Sequence, residues 1–200
     1  MTAATLVVVG AYLLGCFPTA AIVGRRSGFD PDASGSGNPG ASNSFRLGGR
    51  RAGALVLLGD AGKGAAACAV GMVGGGRSLG VAAGAAAVVG HVVPVTRRFR
   101  GGKGVATAAG MVAVLEPVAA IAGAVVWSAT VTLSRKAAVA SLVMVTVVVA
   151  VVALAGRPLG EVMTLAGVAL VIVVRHRGNL GRLRRGEEQS LLVEETRKPS

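Results

Sequence analysis

The stretch Ala137-Ala-Val-Ala-Ser-Leu-Val-Met-Val-Thr-Val-Val-Val-Ala-Val-Val-Ala-Leu-Ala-Gly156 decides the fold class. It carries no charge, and at about 1.5 Å per helical residue it reaches about 30 Å, the thickness of a bilayer's hydrocarbon core. Such a run predicts a membrane-spanning helix. Further uncharged runs at Thr2–Gly24, Ser78–Pro94 and Val162–Val174 are long enough, or nearly so, to do the same. Apolar residues make up 52% of the chain and mean hydropathy is +0.67, far above what a soluble domain of 200 residues needs. The expected fold is all-α, a polytopic integral membrane protein. Residues 1–200 form one membrane-embedded domain, with 186–200 as a flexible cytoplasmic tail.

The charges orient it. Lys and Arg outnumber Asp and Glu by 21 to 9, a formal charge of +12. Nucleic acid is not the implied partner, because the basic residues interrupt apolar spans and aromatic residues for base stacking are nearly absent. Positive charge beside apolar spans instead reports the cytoplasmic side. The clusters are Arg25–Arg26; Arg46, Arg50 and Arg51; Arg97, Arg98, Arg100 and Lys103; Arg135–Lys136; and Arg175 through Arg185. No basic residue precedes the first run, so it reads as a retained helix rather than a cleaved signal, with its N-terminus outside.

If all clusters share one face, each interval between them holds an even number of crossings. Residues 52–96 divide at Gly74–Ser78, residues 137–175 at Gly156–Pro158, and residues 104–134 at Glu116–Pro117 into two short helices. The result is about seven transmembrane helices, with six as the alternative if 104–134 crosses once; on the seven-helix reading the C-terminus is cytoplasmic and Arg77 and Arg157 lie outside. Abundant Gly, Ala and Val suit close helix packing in lipid. Cys16 and Cys68 fall in spans without spacing partners, so neither a disulfide nor a metal site is implied.

Three basic, glycine-bearing loops carry the candidate chemistry. Ser34-Gly-Ser-Gly-Asn-Pro-Gly-Ala-Ser-Asn43 contains a formal G-x-G-x-x-G match at Gly35, Gly37 and Gly40. A transmembrane helix rather than a strand precedes it, so a dinucleotide fingerprint is excluded. An anion nest of backbone N–H groups and a solvated, capping turn are equally compatible with the spacing. In the second loop, Gly101-Gly102-Lys103-Gly104 directly precedes an apolar run, placing free N–H groups, a helix dipole and an ammonium together. That favours a phosphate site over general contact with lipid headgroups. His91 lies one turn before Pro94. Asp60 and Lys63 lie inside a predicted span at i,i+3, where ionisable groups pair or face a polar cavity. His176 and Asn179 share a face if the last helix continues; the alternative is an amphipathic surface tail.

Taken together, Ser36-Gly-Asn-Pro-Gly-Ala-Ser-Asn43 with Arg46-Leu-Gly-Gly49, Asp60-Ala-Gly-Lys-Gly64, Gly90-His-Val-Val-Pro94 with Phe99-Arg-Gly-Gly-Lys-Gly-Val-Ala-Thr107, and Arg175-His-Arg-Gly-Asn179 with Gly186-Glu187 resemble the PlsY family. These are the acyl-phosphate-dependent glycerol-3-phosphate acyltransferases of bacteria. The blocks occur in family order across nearly the whole chain.

The resemblance implies a seven-helix enzyme of the bacterial plasma membrane, its active site facing the cytoplasm. It would transfer a fatty acyl group from acyl phosphate, not from acyl-CoA or acyl carrier protein, to the 1-position of glycerol 3-phosphate. The product would be lysophosphatidic acid. No metal or cofactor is implied, and the partners are the two substrates and membrane lipids. By the same resemblance Ser36, Arg46, His176 and Asn179 are catalytic; Gly37, Asn38, Gly40, Asn43, Gly101, Gly102, Lys103, Gly104 and Ser141 bind substrate or phosphate; and Glu187 is a structural glutamate, while Asp60, Lys63 and His91 are pocket candidates from their positions alone. Two departures stand out: Thr96-Arg97-Arg98 replaces an aromatic residue after Pro-Val, and Arg135-Lys-Ala-Ala-Val-Ala-Ser141 keeps one of two family serines. A divergent paralogue with altered donor preference would fit these changes. From another class, a transporter of phosphorylated anions would also make use of basic loops and intramembrane charges.

Acyl phosphate is already activated, so positioning and electrostatics suffice for catalysis. Direct attack by the glycerol hydroxyl is expected, with His176 or a substrate phosphate oxygen taking the proton. Ser36 is the candidate for a covalent route, but no His-Asp relay is visible around it.

Overall fold

The computed structural model describes residues 2–191, which are helical with no strand among them. In chain order the helices are α1 (Ala3–Gly15), α2 (Thr19–Ser27), α3 (Ala41–Val92), α4 (Val105–Leu115), α5 (Pro117–Ser134), α6 (Ala137–Leu154), α7 (Leu159–Arg175) and α8 (Arg177–Arg184), with a short 3-10 turn at Val95–Arg97.

Local chemistry explains the breaks. A straight helix of 52 residues would run about 78 Å, far more than a bilayer's thickness. Instead α3 breaks at Gly49 (φ +74) and folds back at Gly75–Gly76, where Gly76 takes φ +77, a left-handed conformation glycine adopts without penalty. Gly71 then lies against Leu79, Gly80 and Ala83, so the arms 50–74 and 77–92 form an antiparallel hairpin. The break falls within the expected Gly74–Ser78. Glu116 (φ −140) ends α4, and Pro117 opens α5 at the first helical position, where a missing N–H is harmless. Gly156 and Pro158 separate α6 from α7.

By length and composition, four helical stretches can cross a membrane: Ala3–Ser27, Ala41–Arg97, Pro117–Ser134 and Ala137–Leu154. A fifth is added if α7 and α8, bent by 51°, count as one. The 11-residue α4 is short, as the sequence leads one to expect. Large apolar side chains such as Leu133 (86% exposed) and Leu154 (89%) point outward, as befits a protein whose solvent is lipid.

Within the bundle, glycines set the closest crossings. An added methyl at Gly15 would stand 2.1 Å from the Ala87 carbonyl oxygen, and one at Gly90 only 2.0 Å from that of Tyr12. Gly64 and Gly110 meet in the same way, against Thr107 and Ala61. These contacts lock α1 to the second arm of α3, and the first arm to α4, by backbone van der Waals contact, which must replace the hydrophobic drive absent in lipid.

At one end, Arg77 donates to Glu161 at 2.7 and 2.8 Å, to the Leu115 carbonyl at 3.1 Å, and to Glu116. Arg157 reaches Glu116 at 2.6 Å. The two arginines set apart by the charge count thus share a carboxylate, tying together the turns at Gly75–Gly76, Glu116 and Gly156.

Candidate active site

A cavity of 590 Å³ opens between α3, α4, α5, α6 and the α7–α8 junction. One end is polar: Ser36, Asn38, Arg46, Arg50, Lys103, His176 and Asn179 line it. The other end is apolar, with Ala109, Ala124, Trp127 and Met144. Of the residues the sequence singles out, Ser36, Asn38, Gly40, Asn43, Arg46, Asp60, His91, Lys103, Gly104, Ser141, His176 and Asn179 line this one space, although they come from five separate stretches. Gly37, Lys63, Gly101 and Gly102 do not.

Two helices begin at the cavity. Neither α3, after Gly40, nor α4, after Gly104, has a side-chain cap, and Ala41, Ser42, Val105 and Ala106 line the space. First-turn N–H groups without a helical acceptor, together with two dipole ends, therefore lie beside Arg46 and Lys103. Such an arrangement can hold an anion, and the cavity has volume for more than one phosphate.

The glycine loop before α4 works differently from the sequence reading. The Gly102 N–H is taken by the His91 carbonyl at 3.1 Å. Arg175 donates Nη2 to the Gly101 carbonyl at 2.7 Å and Nε to the Gly102 carbonyl at 3.2 Å. An added methyl at Gly102 would stand 2.2 Å from His91 Nε2, and one at Gly101 2.1 Å from the His91 carbonyl oxygen. Gly101 and Gly102 thus allow close approach to His91 and present Lys103, rather than cradling an anion themselves. Gly37 (φ +64) likewise serves a turn, its N–H donating to the Ser34 carbonyl at 3.1 Å.

Asn43 is also reassigned. Its Nδ2 donates to the carbonyls of Pro31 and Ser34, both at 3.0 Å, and its Oδ1 accepts the Ser36 N–H at 2.9 Å. With the amide so occupied, Asn43 holds the loop that presents Ser36 and Asn38. Ser141 donates to the Ala137 carbonyl at 2.8 Å and accepts the Trp127 indole N–H at 3.2 Å, so it fixes the ring that walls the apolar end.

Behind the glycine loop, Lys63 Nζ lies 2.8 Å from Asp60 and donates to the Phe17 carbonyl at 3.2 Å, while His91 Nδ1 is 3.5 Å from the same carboxylate oxygen. The expected i,i+3 pair is present. Lys63 faces a separate polar hollow of 20 Å³, not the main cavity.

The third block closes the site. His176 Nδ1 donates to the Ile172 carbonyl at 2.8 Å, which fixes the neutral tautomer with a lone pair on Nε2. Burial, reinforced by the neighbouring Lys103 charge, lowers the His176 pKa to about 4. Burial also brings Lys103 down to about 8, helped by Arg182, Arg46 and Arg175 and opposed by Glu188. Asn179 Nδ2 donates to Glu188 Oε1 at 2.6 Å. Glu188 is 5% exposed, whereas the side chain of Glu187, assigned the structural role by resemblance, is 56% exposed and pairs with Arg185 at the surface. Of these two neighbours, Glu188 is the buried one.

Residues 186–191, expected as the start of a flexible tail, instead strap the polar end. Arg46 Nε donates to the Ser190 carbonyl at 2.9 Å, the Leu191 N–H donates to the Arg135 carbonyl at 2.8 Å, and Leu191 is buried. The rest of the expected tail, 192–200, lies outside the described residues. Arg50, Trp127, Arg175 and Glu188 were given no site role from sequence, although Arg50 and Arg175 stand in the basic clusters. Of the other two, Trp127, as the lone tryptophan, offered a signal.

Comparison with known proteins agrees with this layout. Residues 5–186 match the family model for glycerol-3-phosphate acyltransferase. A glycerol-3-phosphate acyltransferase of Pseudomonas paraeruginosa is 43% identical over 191 residues, covering 92% of this chain and 97% of the relative. One from Pseudomonas syringae pv. syringae is 42% identical over 184 residues, covering 90% and 93%. Crystal structures of PlsY (YgiH), an integral membrane glycerol 3-phosphate acyltransferase, superpose with TM-scores of 0.91 for the glycerol 3-phosphate form and 0.88 for the lysophosphatidic acid form. Both are 32% identical and cover 94% of this chain, with 96% and 95% of the respective crystal chains.

Proposed function

This chain belongs to the glycerol-3-phosphate acyltransferase family and is an integral membrane acyltransferase; we propose that it takes its acyl group from acyl phosphate and delivers it to the 1-position of glycerol 3-phosphate. The observation that carries this reading is the single cavity with two helix N-termini, Arg46 and Lys103 at one end and apolar walls at the other. Such a space suits two phosphates and a fatty chain together. The walls include exposed Ala54 and Leu57 of α3 and Ala124 and Ser128 of α5, so the chain enters sideways from the bilayer. The basic loops at the polar end support a site on the cytoplasmic face of a bacterial plasma membrane, in a seven-crossing arrangement.

Chemically, the glycerol hydroxyl attacks the acyl carbonyl carbon, the new C–O ester bond forms, and the bond to the phosphate oxygen breaks. Lys103, Arg46 and the N–H groups of α3 and α4 stabilise the departing phosphate. Neutral His176 accepts a hydrogen bond from the hydroxyl through Nε2 and orients it. With its basicity so low, the proton passes to the departing phosphate, not to the imidazole. Ser36 remains an anion ligand, because among the described residues no hydrogen bond ties its hydroxyl to a histidine or carboxylate.

Purified protein in lipid nanodiscs, given labelled glycerol 3-phosphate with acyl phosphate, acyl-CoA or acyl carrier protein in turn, tests the donor. Lysophosphatidic acid from acyl phosphate alone is expected. Product from acyl-CoA or the carrier protein but not from acyl phosphate would contradict the reading.

A further inference from the structure

Beyond the apolar end of the main cavity lies a second hollow of 40 Å³, walled by apolar side chains from α4 to α7 and by Gly123. Ala109 and Met144 line both spaces. The helices supply successive turns along one line. On α6, Ser141 belongs to the first space, Met144 to both, and Val148 to the second; on α5, running the opposite way, Trp127 and Ala124 give place to Gly123 and Ala120.

Ala109 and Met144 stand between the two spaces, and of these Met144 carries the larger side chain. Met144 is 8% exposed and, with Val148, reaches from α6 onto α5: an added methyl at Gly123 would stand 2.7 Å from Val148 Cγ2, 3.3 Å from Met144 Cγ and 3.9 Å from its sulfur. The backbone of α5 leaves room there because residue 123 has no side chain. From Met144 to Val148 the helix rises by about 6 Å, room for several more methylenes.

We propose that Met144 sets the length of the acyl chain this enzyme transfers best, by closing the main cavity off from the second hollow. A chain ending at Met144 is wholly accommodated. Each further methylene must push the thioether aside, and because methionine is unbranched with three rotatable bonds the limit is graded rather than absolute. This rests on the acyl-phosphate reading above, since the chain must lie along α4, α5 and α6 with its phosphate at Lys103.

The test measures kcat/KM in nanodiscs for a graded series of saturated acyl phosphates. Met144→Ala should raise the ratio of longest to shortest chain about tenfold, the worth of roughly two buried methylenes. Val148→Phe added to Met144→Ala should refill the hollow and return the ratio to the wild-type value. If truncation prevents folding, Met144→Leu gives the second reading: a stiffer side chain of similar volume should lower the ratio severalfold. A folded Met144→Ala with an unchanged profile, or Met144→Leu with one, overturns the proposal. Wild-type protein forming product from no member of the series would remove the donor reading itself, and the partition with it.

Discussion

Asn179 donates its amide to one oxygen of Glu188 at 2.6 Å, while Arg182 Nε donates to the other at 2.8 Å. The carboxylate thus fixes an amide in the cavity wall and sets a negative charge among Arg46, Lys103 and Arg182. Removing it leaves Asn179 unheld and the cations unbalanced. Glu188→Ala should lose about 1–3 kcal/mol of stability together with most activity. Glu187→Ala, altering an exposed neighbour, should leave both unchanged. Thermal unfolding in detergent checks the pair, and the opposite order would contradict the assignment.

Lys103 provides a pH signature. Its pKa is lowered to about 8, because burial and the nearby arginines disfavour the ammonium. A bound phosphate dianion raises that pKa. Below pH 8 the ammonium is already present and affinity is flat; above it, binding must take up a proton. KM for glycerol 3-phosphate should therefore rise by up to about tenfold per pH unit beyond 8. The substrate's own second ionisation, near pH 6, lies well below this window. Lys103→Arg should flatten the rise, since a guanidinium stays charged.

His176 should show the converse. With its pKa lowered to about 4 by burial and by the Lys103 charge, it stays neutral through the range where an ordinary histidine titrates. No limb in kcat should appear between pH 5.5 and 7.5 from this group, a window set by the usual histidine value of about 6.5. His176→Ala should lower kcat by about a hundredfold through lost orientation, with little change in KM. A kcat limb near pH 6.5 that vanishes on substitution would instead make the imidazole the proton acceptor.

Gly102→Ala isolates the loop geometry. The added methyl would meet His91 Nε2 at 2.2 Å, so His91 or the loop must move and Lys103 with it. Activity should fall at least tenfold while the outer cluster around Arg77 stays intact. Asp60→Asn attacks the same support from behind, leaving Lys63 buried without its carboxylate, and should destabilise the protein by about 3–5 kcal/mol. Replacing Asp60 and Lys63 together by Leu and Met should recover much of that loss, as measured by thermal unfolding.

The helical breaks were legible because each depends on local chemistry: Gly75–Gly76, Glu116–Pro117 and Gly156–Pro158 all interrupt apolar runs. The gathering of Ser36, Lys103 and His176 was legible through the charges that put their loops on one side. What each residue does was less so. The Asn43 amide and the Gly102 N–H are bound by groups far away or across a turn, which spacing does not reveal. The choice between Glu187 and Glu188 was hidden by Gly186, whose φ of +71 ends α8 in a left-handed turn and resets the helical phase. Arg175 looked like one more cytoplasmic cation, yet it anchors the carbonyls of Gly101 and Gly102.

Side-specific labelling probes the convergence of these loops most directly. Single cysteines at Ser36 and Lys103, in a background where the buried Cys16 and Cys68 are replaced by alanine, would be treated with a membrane-impermeant maleimide in inside-out and right-side-out vesicles. Both positions should react in inside-out vesicles only. Reaction of the two from opposite sides of the membrane would mean that they share no cavity, and would contradict the site.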